Sequence, residues 1–241
     1  KVLGLAYADL PREAAVAHAL ELAARTGSPT ALAFARYAQG EAWAERDEHR
    51  AVGALEEALV LAESVGNRLI IGVAMTALVA LRGRSTSVEP ATFELFGRVV
   101  LHWSTAGNPT LMVTALRNLV ILLGRVGRDE EAVELWAAVS DMDALHPSYG
   151  AEAERLDTTL ATARSRLGSS FEDAVHRGHS HTGLAAVTAL ASRVCEEEAR
   201  RLATASTGVM ASASAGGSAS RIHLGTPPTT APVGPPAARD V

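Results

Sequence analysis

Up to about residue 205 the apolar residues recur at helical spacing. Ala51, Leu55, Ala58, Leu59 and Ala62 fall at i, i+4, i+7, i+8 and i+11, which places them on one helix face. Ala132, Trp136 and Val139 repeat the small–large–small order. Small residues at a crossing let two helices approach closely, and the large one fills the gap beside them. Pro11, Pro29, Pro90, Pro109 and Pro147 each stand just before such a pattern, where a missing N–H costs little and the fixed φ favours a helix start. Ser28 and Asn108 precede two of them as good N-caps, and Ser169 to Glu172 has the spacing of a capping box. No Asn-Gly or Asp-Gly turn joins alternating runs, so the chain reads as all-helical.

The helices are punctuated regularly. Thr26-Gly-Ser-Pro-Thr, Val65-Gly-Asn-Arg-Leu and Ala106-Gly-Asn-Pro-Thr share one pattern, and the starts Pro29, Arg68 and Pro109 are 39 and 41 residues apart. Pro147 follows 38 residues later. A period near forty without strands predicts an α-solenoid, a stack of antiparallel helix hairpins in which each unit buries its apolar face against the next. The expected domain covers residues 1–204. Pro11 to Thr26 reads as the second helix of a truncated first unit, as expected of a chain that starts on lysine inside a longer protein. Residues 205–241 are rich in Ala, Ser, Gly and Pro and hold five of the ten prolines. Such a segment buries too little apolar surface to offset its ordering entropy, so a disordered tail is expected there. In GC-rich DNA a shifted reading frame produces the same composition.

Composition narrows the function classes. Of 241 residues 48% are hydrophobic, ample for a core, and the net charge of -5 argues against a nucleic-acid-binding face. One cysteine, Cys195, excludes an internal disulfide framework and a multi-thiolate metal site. Lys1 is the only lysine, which excludes a phosphate-binding loop of the G-x-x-x-x-G-K type and disfavours Schiff-base chemistry. No signal peptide is visible, and the longest apolar stretches, such as Leu119 to Leu123, are too short to cross a bilayer. A cytoplasmic interaction module without cofactor or membrane contact is expected.

Candidate chemistry is sparse. His176, His179 and His181 put three imidazoles within six residues, a set that suits zinc, nickel or copper, but a Gly/Ser loop between Phe171–His176 and the last helix offers no fixed geometry, and a solvated loop is the stronger expectation. The acid runs Glu56-Glu57, Glu130-Glu131 and Glu196-Glu197-Glu198 read as helix-start and solvated charges, the last self-paired with Arg200-Arg201. Cys195 reads as an inert thiol, and Trp43, Trp103 and Trp136 as core. No arrangement of nucleophile, base and acid is evident, so a non-catalytic chain is expected.

Leu119 to Trp136 closely resembles a tetratricopeptide (TPR) repeat: Leu119 matches the first-helix leucine, Gly127 the turn glycine, Ala132 the small residue of the second helix and Trp136 the aromatic after it. Gly40, Trp43, Ala51, Leu55 and Ala58 match more loosely. Phe171, Ala174, Gly178, Thr182, Ala186 and Val187 resemble the closing segment of TPR-rich regions in large bacterial ATP-binding regulators of the LuxR/MalT type, the AfsR-like type and the ATPase-coupled class III cyclases. The resemblance implies a sensor or scaffold arm that binds a protein or peptide, with an ATPase domain of the same parent chain as a further partner. It also implies a groove lined by first helices. Aligning the units sets Tyr37, Thr76 and Arg117 at one equivalent position, with Ala38, Ala77 and Asn118 next, and by resemblance Tyr37, Thr76, Arg117 and Asn118 line that groove. Alternatives are a small-molecule effector site as in MalT-like activators, and metal binding at the histidine cluster.

Overall fold

A computed structural model of the 241-residue chain describes residues 12–143 and 150–216. Among these residues there are ten helices and no strand. They are α1 (Arg12–Thr26), α2 (Pro29–Trp43), α3 (Glu48–Ser64), α4 (Arg68–Arg82), α5 (Pro90–Ala106), α6 (Pro109–Arg125), α7 (Asp129–Asp143), α8 (Ala151–Leu167), α9 (Ser170–His179) and α10 (Gly183–Gly216). The described residues are all-α, 85% helical. No helix among the described residues is long and apolar enough to cross a membrane. Pro11, Pro147 and the proline-rich stretch of 226–236 lie outside the described residues.

The recurring punctuation has one physical basis. Gly27, Gly66 and Gly107 all take positive φ, of 62, 64 and 64°, which ends a helix at little steric cost only for glycine. The next residue caps the following helix: Ser28 Oγ accepts from Ala31 N, Asn67 Oδ1 from Ile70 N and Asn108 Oδ1 from Leu111 N. The backbone closes the turn from the other side, with Asn67 N donating to Ala62 O and Asn108 N to Trp103 O. The capping box expected at Ser169 does not form. Ser169 is already helical at φ -65° and ψ -30°, and its side chain makes no cap bond. Gly168, at φ 55°, makes the turn instead, and Phe171 N donates to Gly168 O, so the chain enters α9 without the extended residue that a cap needs.

The chain divides into two units, Lys1–Ala203 and Thr204–Val241. In the first, each helix from α1 to α8 packs on the next, and α2, α4, α6 and α8 also touch in succession. α9 packs on α7 and α8. The predicted stripe on α3 is the face turned to α2: Ala51, Leu55, Ala58 and Ala62 are fully buried, while Leu59 is only partly so. Gly40 of α2 is required there, because a Cβ would lie 2.5 Å from Leu55 Cγ. The main core runs through α4 to α7, with Phe93, Phe96, Leu116 and Leu119 fully buried. α10 closes it with Val187, Leu190, Ala191, Val194 and Cys195.

Of the second unit, α10 extends through Gly216, so the segment from residue 205 begins helical rather than disordered as expected. The packed part of α10 has already met the nucleation cost, and alanine-rich residues then propagate the helix at little further cost. Residues 217–241 lie outside the described residues.

Candidate functional site

A cleft of about 180 Å³ opens between the first helices of the successive pairs, α2, α4, α6 and α8. Leu81, Ile121 and Leu122 give it an apolar floor, and Glu41, Arg84, Asn118 and Arg155 bring polar groups to it. Arg84 is committed: it donates to Glu45 Oε1 at 2.5 Å and to the Ala44 carbonyl at 3.0 Å. Asn118 donates through Nδ2 to the Thr114 carbonyl, 3.2 Å away, which leaves its second N–H and its carbonyl for other partners. Glu41 keeps contact with water, yet the protein crowds its carboxyl. Desolvation raises it above the ordinary carboxylate value, and the charge of Arg84 acts against that shift. Arg155 is half-buried and makes no hydrogen bond or ion pair through its guanidinium among the described residues.

The four residues expected to line a groove are not brought together. Asn118 lines the cleft. Tyr37 is half-buried and packs on the core, with its ring 6.4 Å from that of Phe34. Thr76 and Arg117 are corrections to the expectation, because both are buried, at 8% and 4% exposure. Thr76 Oγ1 donates to the Gly72 carbonyl and accepts from Trp103 Nε1, both at 2.9 Å, and so ties α4 to α5. The aligned position is one step out of phase: the next residue round the helix, Ala77 or Asn118, is the one that reaches the cleft. Thr76→Val is therefore expected to lose about 1–3 kcal/mol in urea unfolding, because it orphans a buried indole N–H. A neutral result would return Thr76 to the surface.

A stitch between units recurs with the repeat. Arg84, Arg125 and Arg166 stand 41 residues apart at the ends of α4, α6 and α8. Arg84 donates to the carbonyl of Ala44, Arg125 to that of Ser85 at 2.8 Å, and Arg166 reaches the Asp129 carboxylate at 3.5 Å. Each arginine thus ties the end of one first helix to the turn region of the preceding pair. The equal spacing of these arginines is visible in the sequence and marks them as equivalent.

α10 is held by a buried charge. Glu198 is 1% exposed at its side chain and pairs with Arg128, the residue just before α7, and with Arg201, both at 2.7 Å. The run Glu196-Glu197-Glu198 is therefore not a wholly solvated face. Glu198 continues the buried stripe of Val187, Ala191 and Val194 at helical spacing, so the helix itself carries it inward. Cys195 on the same face is 2% exposed, and burial pushes its thiol from 9.0 up to about 12. The unfolded thiol ionises first as pH rises, so the unfolded state binds fewer protons and stability falls between pH 9.0 and about 12. At neutral pH Cys195 is expected to react with an aromatic disulfide reagent only as fast as the protein opens. Rapid labelling of the folded chain would contradict its burial.

Of the three histidines, only His181 lies in the connection expected to hold them all. His176 and His179 lie within α9, and both are exposed, while His181 follows the helix and pairs with Glu134 Oε1 at 3.1 Å. The same carboxylate group takes Arg177 at 3.2 Å. Gly178, expected in the loop, lets α9 lie against the α7 backbone. Among the described residues no three His, Cys, Asp or Glu side chains stand where they would hold a metal ion. Compared with protein-family models, with curated proteins and with solved structures, the chain matches none of them.

Proposed function

We propose that the first unit is a TPR-like α-solenoid that docks a protein or peptide and carries no catalysis of its own. The recurrence of Arg84, Arg125 and Arg166 as stitches between successive helix pairs is the observation that carries this reading. Contact between α2, α4, α6 and α8 in succession supports it, since a stack of hairpins sets first helices side by side. The docking face is then the one these helices share, with Ala77 and Asn118 on it. By its resemblance to regulators of the LuxR/MalT, AfsR-like and cyclase types, the chain serves a cytoplasmic bacterial signalling or transcription regulator beside an ATPase domain. It makes no direct contact with nucleic acid or membrane. Docking acts by favouring one arrangement of the stack over another and so biases the parent's active state.

Peptides selected by display against the immobilised full chain test this. Ala77→Glu on the shared face should weaken them about tenfold or more, whereas Leu101→Glu on α5, a residue 58% exposed, should leave them unchanged. An empty selection, or peptides lost only to Leu101→Glu, would overturn the reading.

A further inference from the structure

The cleft between α2, α4, α6 and α8 holds two opposite charges that form no ion pair. Glu41 on α2 and Arg155 on α8 line the same cavity, yet they make no ion pair with each other or with any other described residue. Other charges near the cleft and elsewhere on the first unit are paired. Arg84 has Glu45, Arg82 has Glu56, Arg98 has Glu63 and Arg177 has Glu130. Arg155 is half-buried, so its guanidinium has lost part of its hydration without gaining a carboxylate. The Asn118 amide, the aliphatic side chains of Leu81, Ile121 and Leu122, and the carboxylates of Glu45 and Glu152 line the same cavity. The cavity of about 180 Å³ is below the ~300–1,000 Å³ of sites for drug-sized ligands, and it suits a molecule of few atoms.

We infer that this cleft binds a free aliphatic α-amino acid, with its ammonium against Glu41, its carboxylate against Arg155 and Asn118, and its side chain on the apolar floor. Arg155 presents a planar fork that a carboxylate meets with two parallel hydrogen bonds, and the free N–H of Asn118 adds a third donor. An ammonium beside Glu41 relieves the penalty that crowding places on the ionised carboxyl. A ligand that carries both charges meets both groups, whereas a ligand with one charge leaves the other group without a partner. This site does not depend on the docking reading: an empty peptide selection leaves it standing, and its own failure leaves docking standing.

Isothermal calorimetry of the full chain with L-leucine, isoamylamine and 4-methylpentanoate tests the site. L-leucine should bind, and the amine and the acid, each lacking one charge, should bind about tenfold more weakly or less. Glu41→Gln should weaken L-leucine and the amine but not the acid, and Arg155→Gln should weaken L-leucine and the acid but not the amine. The three ligands on the unaltered chain keep the test decisive even if a variant fails to fold. No heat from L-leucine at millimolar concentration, equal binding of all three, or L-leucine binding that survives both substitutions would overturn the inference.

Discussion

Gly178→Val is expected to destabilise the first unit by about 3 kcal/mol or more, enough to separate α9 from α7. A Cβ at this position would collide with the carbonyl oxygen of Glu134, lie 2.5 Å from Ala137 Cβ and lie 3.1 Å from Ala138 N. The obstacle is mostly backbone, so rotating a side chain cannot relieve it, and the loss belongs at the upper end of what overpacking costs. Helix propensity acts the other way, since glycine inside a helix is worse than alanine by about 1 kcal/mol. The collision outweighs that gain. Gly53 supplies the control: it lies within α3, and a Cβ there would meet nothing within 4 Å. Gly53→Ala should stabilise by about 0.5–1 kcal/mol. Urea unfolding of both variants decides the matter, and a stabilising Gly178→Val would mean that α9 does not lie on α7.

Arg128→Ala is the second large effect. Glu198 is fully buried, and Arg128, in the turn that leads into α7, is its partner from outside α10. Removing that partner leaves a buried carboxylate with Arg201 alone, itself 45% exposed at its side chain. Breaking a buried pair in this way costs about 3–5 kcal/mol, and the retained Arg201 contact places the expected loss near the lower end of that range. Arg128 also hydrogen-bonds Glu131 in the first turn of α7, so a second contact goes with it. The loss should appear as weaker amide protection along α10. The double variant Arg128→Met with Glu198→Leu should recover most of it, because an apolar pair removes the buried charge altogether. Unchanged protection in Arg128→Ala would contradict the placement of Glu198.

Helix starts and stops are legible in the sequence because their causes are local. A glycine with positive φ followed by a Ser or Asn cap needs only a few adjacent residues, and Gly27-Ser28, Gly66-Asn67 and Gly107-Asn108 show it. The buried face of α3 is legible for the same reason, since apolar spacing names it directly. Which polar residue reaches the surface is set by rotation about the helix, and one position turns the side chain by about 100°. Thr76 and Arg117 therefore point into the core while Ala77 and Asn118 reach the cleft. Glu198 is misread from sequence because its neighbours Glu196 and Glu197 are charged too, and its burial depends on Arg128, seventy residues earlier along the chain. The cleft itself gathers Glu41, Arg84, Asn118 and Arg155 from separate parts of the chain, and no local pattern brings them together. His176 and His179 are drawn into a helix by the buried Phe171 and Ala174 on the opposite side of α9, against which a Gly/Ser pair is a weak breaker.

Deleting residues 29–67, so that Ser28 joins Arg68, removes one helix pair and tests the repeat most directly. If the pairs are interchangeable units of a stack, α1 meets α4 as it now meets α2, and the shortened chain keeps its far-UV ellipticity per residue and melts in one cooperative step. Loss of helix or a broad, gradual melt would show that the helices close round a single shared core instead.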